Sequence, residues 1–467
     1  MRSRVRKPAK RAAVTSGDAI AARTAVSGSG TPATAREVAF QVVRDVFGPE
    51  LRGAQAAFTV RTHRSGLDAR DRAFAAELAY GSIKQRRLLD RYLLPYVGSR
   101  DKLDPAISDV LRLGVYQLRF MSGVEAHAAV SETVNLAWRH GHKGTAGLVN
   151  AVLRRLIADG FPEFDPAAFA SPDDFAGVRY SLPTWIAAQY RRLLGATLDE
   201  ALVGVNQAPQ NAVRVNVLRS DVASATAALE RRGIPAYPSP FVEESLIVAS
   251  GFIEDDPAGA YDVQAEAATM PVDLLAPQPG ETVLELCSGR GNKSVQIAAR
   301  MRGEGALVLV ERDARKLAVL EPHLARAGVT NAAVVAGDAL ALASDVRADA
   351  VLLDAPCSGT GVIGRHPEAR WRKTPTDGAR LAQLQAQLLD AAAARTKPGA
   401  RLVYSVCSVD VREGREVIDE LLARNAAFSR AAIPERYARF AQDGDVFVPP
   451  GIDGRDGFYI ASLTRSS

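Results

Sequence analysis

Short apolar runs alternate with helical segments through the C-terminal half of the chain. The runs are TVLELC (282–287), ALVLVE (306–311), AAVVAGD (332–338), DAVLLDAP (349–356) and ARLVYSVC (400–407). Strands that are buried on both faces and joined by helices form a doubly wound parallel sheet. The pattern therefore predicts an α/β, Rossmann-like domain, in which ligands bind beyond the carboxyl ends of the strands.

The rest of the chain divides into further units. Residues 33–165 carry helical patterns such as AREVAFQVVRDVF, DRAFAAELAYGSIKQRRLLDRYLLPYV and GTAGLVNAVLRRLIADG, and they predict an all-helical domain. Residues 170–261 mix the strand-like NAVRVNVLR and SLIVAS with a helix through VASATAALERRG, which indicates a small α+β linker domain. The sheet domain then occupies residues 262–467.

Positive charge is concentrated in the N-terminal tail, residues 1–32. The net charge of the chain is +5, yet the first 30 residues hold seven basic side chains against Asp18 alone. We predict a disordered basic tail, which either contacts nucleic acid through phosphates or only aids solubility. Since the remaining chain is close to neutral, any RNA-binding face on the folded part must be a local patch.

The three cysteines, Cys287, Cys357 and Cys407, are far apart in sequence, which is typical of free thiols in a reducing compartment. With no CxxC pair and six histidines, a zinc site is not expected. The chain has no apolar run that could span a bilayer and no secretory signal. We expect a cytoplasmic protein without metal or membrane association, and a monomer is the working expectation.

The first strand runs into a glycine-rich turn, CSGRGNKS, and then a helix. Gly289 and Gly291 permit a tight turn that brings backbone close to a ligand, although such a turn can also be a packing solution. Glu311 ends the second strand, where Rossmann-type folds place an acid for ribose hydroxyls. Asp338 follows the third strand and either contacts the adenine side or caps a helix. Because no Walker-type loop is present, the expected ligand is a nucleoside without polyphosphate.

The fourth and fifth strands each end near a cysteine, in DAPCSGTG and YSVCSV. A single cysteine there is most often a small buried hydrophobe, but Cys357 and Cys407 converge on one rim together with Asp354. A nucleophilic thiolate needs a cationic neighbour, for which Lys293 and Arg365 are candidates. Thiolate addition to carbon 6 of cytosine activates carbon 5 for methylation, and a base must then remove the carbon 5 proton.

These residues resemble the RNA (cytosine-5) methyltransferases, and specifically the bacterial small-subunit ribosomal RNA enzymes of the RsmB type, which carry a NusB-like N-terminal domain. The resemblance covers about residues 33 to 465. It is carried by DAPCSGTGVIGRHPEARW, YSVCSVDVREG, GLVNAVLRRL and DGFYIA. It implies S-adenosylmethionine as cofactor, 16S rRNA as substrate, and helical and linker domains that help to grip RNA.

By that resemblance Cys407 is the nucleophile, and Cys357 assists proton removal and release. Asp354 binds at the junction of cofactor and base, and Lys293 faces the active centre. Glu311 binds the ribose and Asp338 the adenine side. The methionine side is contacted by Cys287, Ser288, Gly289, Arg290, Gly291, Asn292 and Lys293.

The chain also departs from the usual family pattern. Ser-Gly-Arg-Gly-Asn-Lys (288–293) stands in place of Ala-Ala-Pro-Gly-Gly-Lys, Glu311 in place of Asp, and Gln264-Ala265 in place of Gln-Asp. Two alternatives are a tRNA cytosine-5 methyltransferase with the same catalytic domain, and a non-catalytic RNA-binding or ribosome assembly factor. DNA cytosine methyltransferases take their nucleophile from the fourth-strand Pro-Cys and would leave Cys407 without a purpose.

Overall fold

The computed structural model describes residues 34–467 except 50, 64, 99–102, 252 and 344, so the predicted tail of residues 1–32 lies outside the described residues. The helical domain begins the described chain. Its helices are α1 (Ala35–Phe47), α2 (Ala54–His63), α3 (Ala69–Lys84), α4 (Arg86–Val97), α5 (Pro105–Phe120), α6 (Ala126–His140) and α7 (Lys143–Asp159). Val149, Val152 and Leu153 lie on the buried face of α7, as their spacing predicts.

The stretch from residue 71 to 97, which reads as one helical pattern, is two helices that meet at Gln85. Gln85 leaves helical geometry at φ −87°, ψ 11°. Ser181 Oγ accepts the backbone N–H groups of Arg87 and Leu88 at 3.0 and 3.5 Å. Because Ser181 lies far away in sequence, local periodicity carries no signal of this helix start.

A helical connector and a small sheet follow. The helices are α8 (Pro172–Arg179), α9 (Thr184–Leu194), α10 (Leu198–Gly204) and α11 (Val222–Arg231). The strands β1 (Asn211–Val215), β2 (Ala236–Pro238), β3 (Ser245–Val248) and β4 (Tyr261–Val263) form an antiparallel sheet in the order β2-β3-β1-β4. β4 spans the boundary predicted between residues 261 and 262. Leu182, Ile186 and Tyr190 of the connector pack into the same core as the large sheet.

The C-terminal domain is built on a nine-stranded sheet. Its helices are α12 (Glu266–Leu275), α13 (Asn292–Arg300), α14 (Ala314–Ala327), α15 (Ala369–Arg372), α16 (Pro375–Arg395) and α17 (Arg415–Arg424). Its strands are β5 (Thr282–Leu286), β6 (Ala306–Glu311), β7 (Ala332–Ala336), β8 (Ala348–Asp354), β9 (Thr396–Val406), β10 (Phe428–Arg430), β11 (Ala441–Gln442), β12 (Asp445–Val448) and β13 (Phe458–Arg465). Short 3₁₀ helices lie at Pro166–Ala168, Gly195–Thr197, Ala339–Ala341, Thr360–Val362, Glu435–Phe440 and Ile452–Gly454.

The five predicted strands form the parallel centre of this sheet, β7-β6-β5-β8-β9, which confirms the predicted fold class. β13 pairs antiparallel with β9, and β10 and β12 pair with β13. The chain passes from β5 outward to β6 and β7, then returns to place β8 on the other side of β5. This reversal opens a crevice at the carboxyl ends of β5 and β8.

Arg370 joins the domains from a fully buried position. Its guanidinium donates to the carbonyl oxygens of Lys84 and Ser181, at 3.3 and 3.2 Å. It also donates to Asn206 Oδ1 at 2.8 Å and to the Ile363 carbonyl at 3.0 Å. The second half of the predicted catalytic motif therefore serves to dock the domains. Within the described parts of the chain, every helix is too short or too polar to cross a bilayer.

Candidate active site

A cavity of about 530 Å³ lies at the carboxyl ends of the parallel strands. Its volume falls in the range of small-molecule sites. The predicted residues that line it are Cys287, Ser288, Gly289, Arg290, Asn292, Lys293, Glu311, Asp338, Asp354, Cys357 and Cys407. The structure thus brings together residues that are as many as 120 positions apart (287 to 407).

The turn after β5 exposes its backbone to the cavity. Cys287 takes a left-handed conformation at φ 61°, followed by Gly289 at 65° and Gly291 at 89°. A Cβ atom on Gly289 would meet only the Cys287 carbonyl, at 3.9 Å, so this edge is open to a ligand. A Cβ on Gly291 would lie 2.6 Å from Leu320 Cδ1, so Gly291 lets the turn pack against α14.

Glu311 and Asp338 end two neighbouring strands at the cavity wall. Glu311 accepts the N–H of Gly289 on one oxygen at 2.9 Å, and those of Arg312 and Asp313 on the other at 2.9 and 2.8 Å. A carboxylate offers about four lone pairs, so one more donor can be accommodated. Asp338 both lines the cavity and caps a 3₁₀ helix through the N–H of Leu340 at 3.0 Å.

The thiols of Cys357 and Cys407 face each other with their sulfur atoms 3.3 Å apart. The hydrogen bond with Cys407 and burial raise the pKa of Cys357 well above that of an ordinary thiol, and charge repulsion from Cys407 and Glu413 adds to the effect. Cys357 is therefore held as a neutral thiol beside Cys407. Cys287 is different, because burial followed by the charges of Glu311 and Asp354 raises its pKa to about 12, which makes it inert.

Lys293 supplies the cation beside the thiols. Its Nζ atom lies 2.6 Å from Asp354 Oδ2. Burial alone would lower the pKa of Lys293, but the charge and hydrogen bond of Asp354 outweigh it, with help from Glu285 and Cys407, so this pKa is raised. The Lys293 side chain therefore keeps its positive charge although it is largely buried in the wall of the cavity.

Arg365, the other predicted cation, is not at the thiols. It donates to Asp456 Oδ2 at 2.8 Å and to the Gln210 carbonyl at 2.7 Å. Arg365 is also not among the residues that line the cavity. The prediction that Arg365 neighbours the thiols is therefore wrong.

Three polar residues that sequence reasoning missed hold the cysteine loops in place. Glu413, which is fully buried, accepts the N–H and the hydroxyl of Ser358 at 3.1 and 2.8 Å. Ser358 in turn bonds Ser408 at 3.0 Å. Ser358 directly follows Cys357, and Ser408 directly follows Cys407. This repeated Cys-Ser pair is the sequence signal that could have identified the two serines. Burial raises the pKa of Glu413, against the hydrogen bonds from Ser408 and Ser358.

Glu285 forms the buried floor of the cavity and was also missed. Ser294 Oγ donates to its Oε2 at 2.5 Å. Burial raises the pKa of Glu285 to about 8, with further repulsion from Asp354 and Glu311, while Ser294 and Lys293 oppose the shift. At neutral pH this carboxyl is therefore largely protonated.

Comparisons with known proteins agree with this architecture. The family described as 16S rRNA methyltransferase RsmB/F matches residues 272–464, the NusB family matches residues 33–158, and an RsmF/B-like ferredoxin-like domain matches residues 182–252.

Similar proteins match over most of their length. Ribosomal RNA small subunit methyltransferase B from Thermus thermophilus is 35% identical over 94% of this chain and 98% of its own length. The protein of the same name from Vibrio cholerae is 34% identical over 85% of this chain and 90% of its own. The crystal structure of a methyltransferase homologue from Pyrococcus horikoshii is 25% identical, covers 63% of this chain and 99% of that one, and has a TM-score of 0.56.

The fold, the residues that line the cavity and the similar proteins all indicate the same protein family. These relatives match 94% and 85% of the chain, so the similarity is not confined to the common sheet. The cofactor of the chain is S-adenosylmethionine. With its NusB-like helical domain, ferredoxin-like linker and Rossmann-like catalytic domain, the chain belongs to the 16S rRNA methyltransferase RsmB/F family.

Proposed function

We propose that this protein methylates carbon 5 of a cytosine in 16S rRNA through a transient thioether between Cys407 Sγ and carbon 6 of the base. The observation that carries the proposal is the 3.3 Å separation of the Cys357 and Cys407 sulfurs at the wall of the cavity. Two thiols that were merely packed in the core would not both line a polar cleft.

The covalent step explains why a thiolate is needed. Carbon 5 of cytosine is a weak nucleophile, and thiolate addition at carbon 6 turns the ring into an enamine-like species that can attack an electrophilic carbon. S-adenosylmethionine would supply that carbon as a methyl group on a sulfonium, whose carbon–sulfur bond breaks to leave a neutral thioether. Loss of the carbon 5 proton then restores the double bond, and the carbon–sulfur bond breaks to return Cys407 as a thiolate.

The contact between the two thiols gives Cys357 a role at the second step. Its hydrogen bond with Cys407 is the largest cause of its raised pKa, and the charge of Cys407 adds to it. Once Cys407 is bonded to carbon it carries no charge, so both of these causes disappear. Cys357 becomes more acidic at the stage when the carbon 5 proton must be removed. It releases its own proton to solvent in the cleft, and the resulting thiolate accepts the carbon 5 proton.

The remaining cavity residues would hold the cofactor and orient the base. The open backbone edge at Gly289 admits the methionine portion, while Glu311 and Asp338 accept hydrogen bonds from the ribose and the adenine side. Lys293 balances the charge of Asp354 and of the Cys407 thiolate. The acceptors and the cation thus fit a ligand that carries hydroxyl, amino and carboxylate groups.

The substrate proposal follows from the domains around the cleft. The similar proteins from Thermus thermophilus and Vibrio cholerae are both named ribosomal RNA small subunit methyltransferase B, and we extend that substrate to this chain. The helical and ferredoxin-like domains would grip the RNA, and the target base must be unstacked or single-stranded to reach the cleft.

The test uses the purified full-length protein with transcribed 16S rRNA and S-adenosylmethionine. Cys357→Ala should accumulate an RNA adduct that survives denaturing gel electrophoresis, because release is blocked. Cys407→Ala and the double variant should form no adduct and no product. Turnover by Cys407→Ala, or no adduct from a folded Cys357→Ala protein, would refute the thioether. Bisulfite sequencing of total RNA locates the methylated cytosine. A methylated position in tRNA would refute the rRNA assignment.

A further inference from the structure

His323 on α14 contacts the cofactor loop, which we define as residues 287–293. Its Nδ1 atom lies 2.8 Å from the carbonyl oxygen of Arg290. A carbonyl oxygen has no proton to donate, so Nδ1 is the donor in this bond. The His323 side chain is only 9% exposed, and water therefore competes little for the contact.

The other edge of the His323 ring faces the small sheet. Its Nε2 atom lies 3.2 Å from Asp262 Oδ1. Asp262, in β4, accepts a hydrogen bond from the fully buried Arg214 of β1 at 2.5 Å, and Arg326 of α14 also donates to Asp262. This edge of the ring thus lies beside Asp262 without a hydrogen bond from Nε2, so it is the Nδ1 atom that holds the cofactor loop.

The cofactor loop has a particular need for such a restraint. Gly289 and Gly291 flank Arg290, and glycine loses more backbone freedom on ordering than any other residue. The usual family pattern has a proline where Arg290 stands, and a proline ring would hold that φ angle by itself. Without it, the hydrogen bond from His323 restrains the loop between its two most flexible residues.

We propose that His323 is a positioning residue for the methyl donor, one that holds the cofactor loop in its binding conformation through the hydrogen bond from Nδ1 to the Arg290 carbonyl. The proposal rests on the proposed binding of S-adenosylmethionine by this loop. It does not depend on which base is methylated or on the thioether.

The test compares three full-length variants. His323→Leu removes both nitrogen atoms. His323→Asn keeps a donor, because the asparagine Nδ2 can occupy about the position of the histidine Nδ1. Leu324→Ala is the matched control, since Leu324 is a buried neighbour on α14 whose loss affects packing alone. Calorimetry with S-adenosylmethionine gives the Kd, and amide hydrogen exchange of residues 287–293 without ligand gives the order of the loop.

Loss of one hydrogen bond should weaken S-adenosylmethionine binding by His323→Leu about tenfold and accelerate exchange in the loop. His323→Asn should recover most of the affinity, and Leu324→Ala should lower the Tm while leaving the Kd unchanged. Should His323→Leu not fold, His323→Ser replaces it, because a serine hydroxyl is too short to reach Arg290.

Wild-type affinity and loop exchange in a folded His323→Leu or His323→Ser protein would overturn the proposal. So would equal weakening by Leu324→Ala, which would reduce His323 to general packing. These readouts are independent of methylation. If the protein lacked cytosine-5 activity but His323→Leu still weakened S-adenosylmethionine binding, the proposed reaction would be refuted. The role of His323 would stand.

Discussion

The ammonium group of Lys293 lies 2.6 Å from the Asp354 carboxylate, and Ser405 donates to the other oxygen of that carboxylate at 2.7 Å. One carboxylate therefore joins the first turn of α13 to the ends of β8 and β9. These are the elements that carry the cofactor loop and the two thiols. In the proposed reaction, charge balance at this point sets how easily a thiolate forms beside the methyl donor.

Lys293→Met should slow methylation by at least about tenfold at neutral pH, because the cation beside the Cys407 thiolate is lost. The rise of kcat with pH should also move to higher pH. Single-turnover rates measured from pH 6 to 9 check both effects. Lys397→Met is the control, since Lys397 makes a similar 2.8 Å pair with Asp349 at the other end of the sheet. An unchanged pH profile in Lys293→Met would contradict this role.

Glu285 should make the protein less stable as the pH rises. Its pKa is raised from 4.5 to about 8, so the folded state binds more protons than the unfolded state between these values. The stability contribution is complete below pH 4.5 and is lost as the pH rises through 8. Glu285→Gln removes this dependence. Between pH 6 and pH 8.5 the Tm of the wild-type protein should therefore fall by roughly 2–4 °C more than the Tm of Glu285→Gln. Parallel Tm curves for the two proteins would count against protonation of Glu285.

Arg370→Met should loosen the docking of the domains. The change leaves several buried carbonyl groups without a donor, and the free energy of unfolding should fall by about 3 kcal/mol or more. Thermal unfolding should separate into more than one transition, and limited proteolysis should cut between the helical and catalytic domains. Arg380→Met is the matched control, because Arg380 pairs with Asp377 within its own exposed helical turn. A single wild-type transition in Arg370→Met would exclude the docking role.

The two glycines of the cofactor loop should respond differently to alanine. Both have positive φ, so each substitution costs about 1 kcal/mol of stability. Gly291→Ala also forces Leu320 to move, and its Tm should fall further than that of Gly289→Ala. Gly289→Ala projects a methyl group into the cavity and should mainly raise the Kd for S-adenosylmethionine. Differential scanning calorimetry and binding titrations on both variants separate these effects, and identical profiles would contradict the geometry.

Local patterns in the sequence predicted much of the fold and many of the residues at the cavity. The apolar runs, the glycine turn and the strand-end positions of Glu311, Asp354, Cys357 and Cys407 were readable because strand period and turn chemistry depend on neighbouring residues. The parallel order of strands then places their carboxyl ends at one edge. The cluster at the cavity was therefore predictable before any distance was known.

Contacts between distant residues were decided only by tertiary structure. The start of α4 depends on Ser181, Arg365 turns to Asp456 instead of the thiols, and Glu413 and His323 become important only through partners brought together by folding. A sequence records which side chains are available, but burial and hydrogen-bond partners arise from packing between segments that periodicity cannot relate. The sequence by itself thus determined the domain classes and most of the residues that line the cavity. Tertiary packing decided which cation serves the thiols and what holds the cofactor loop.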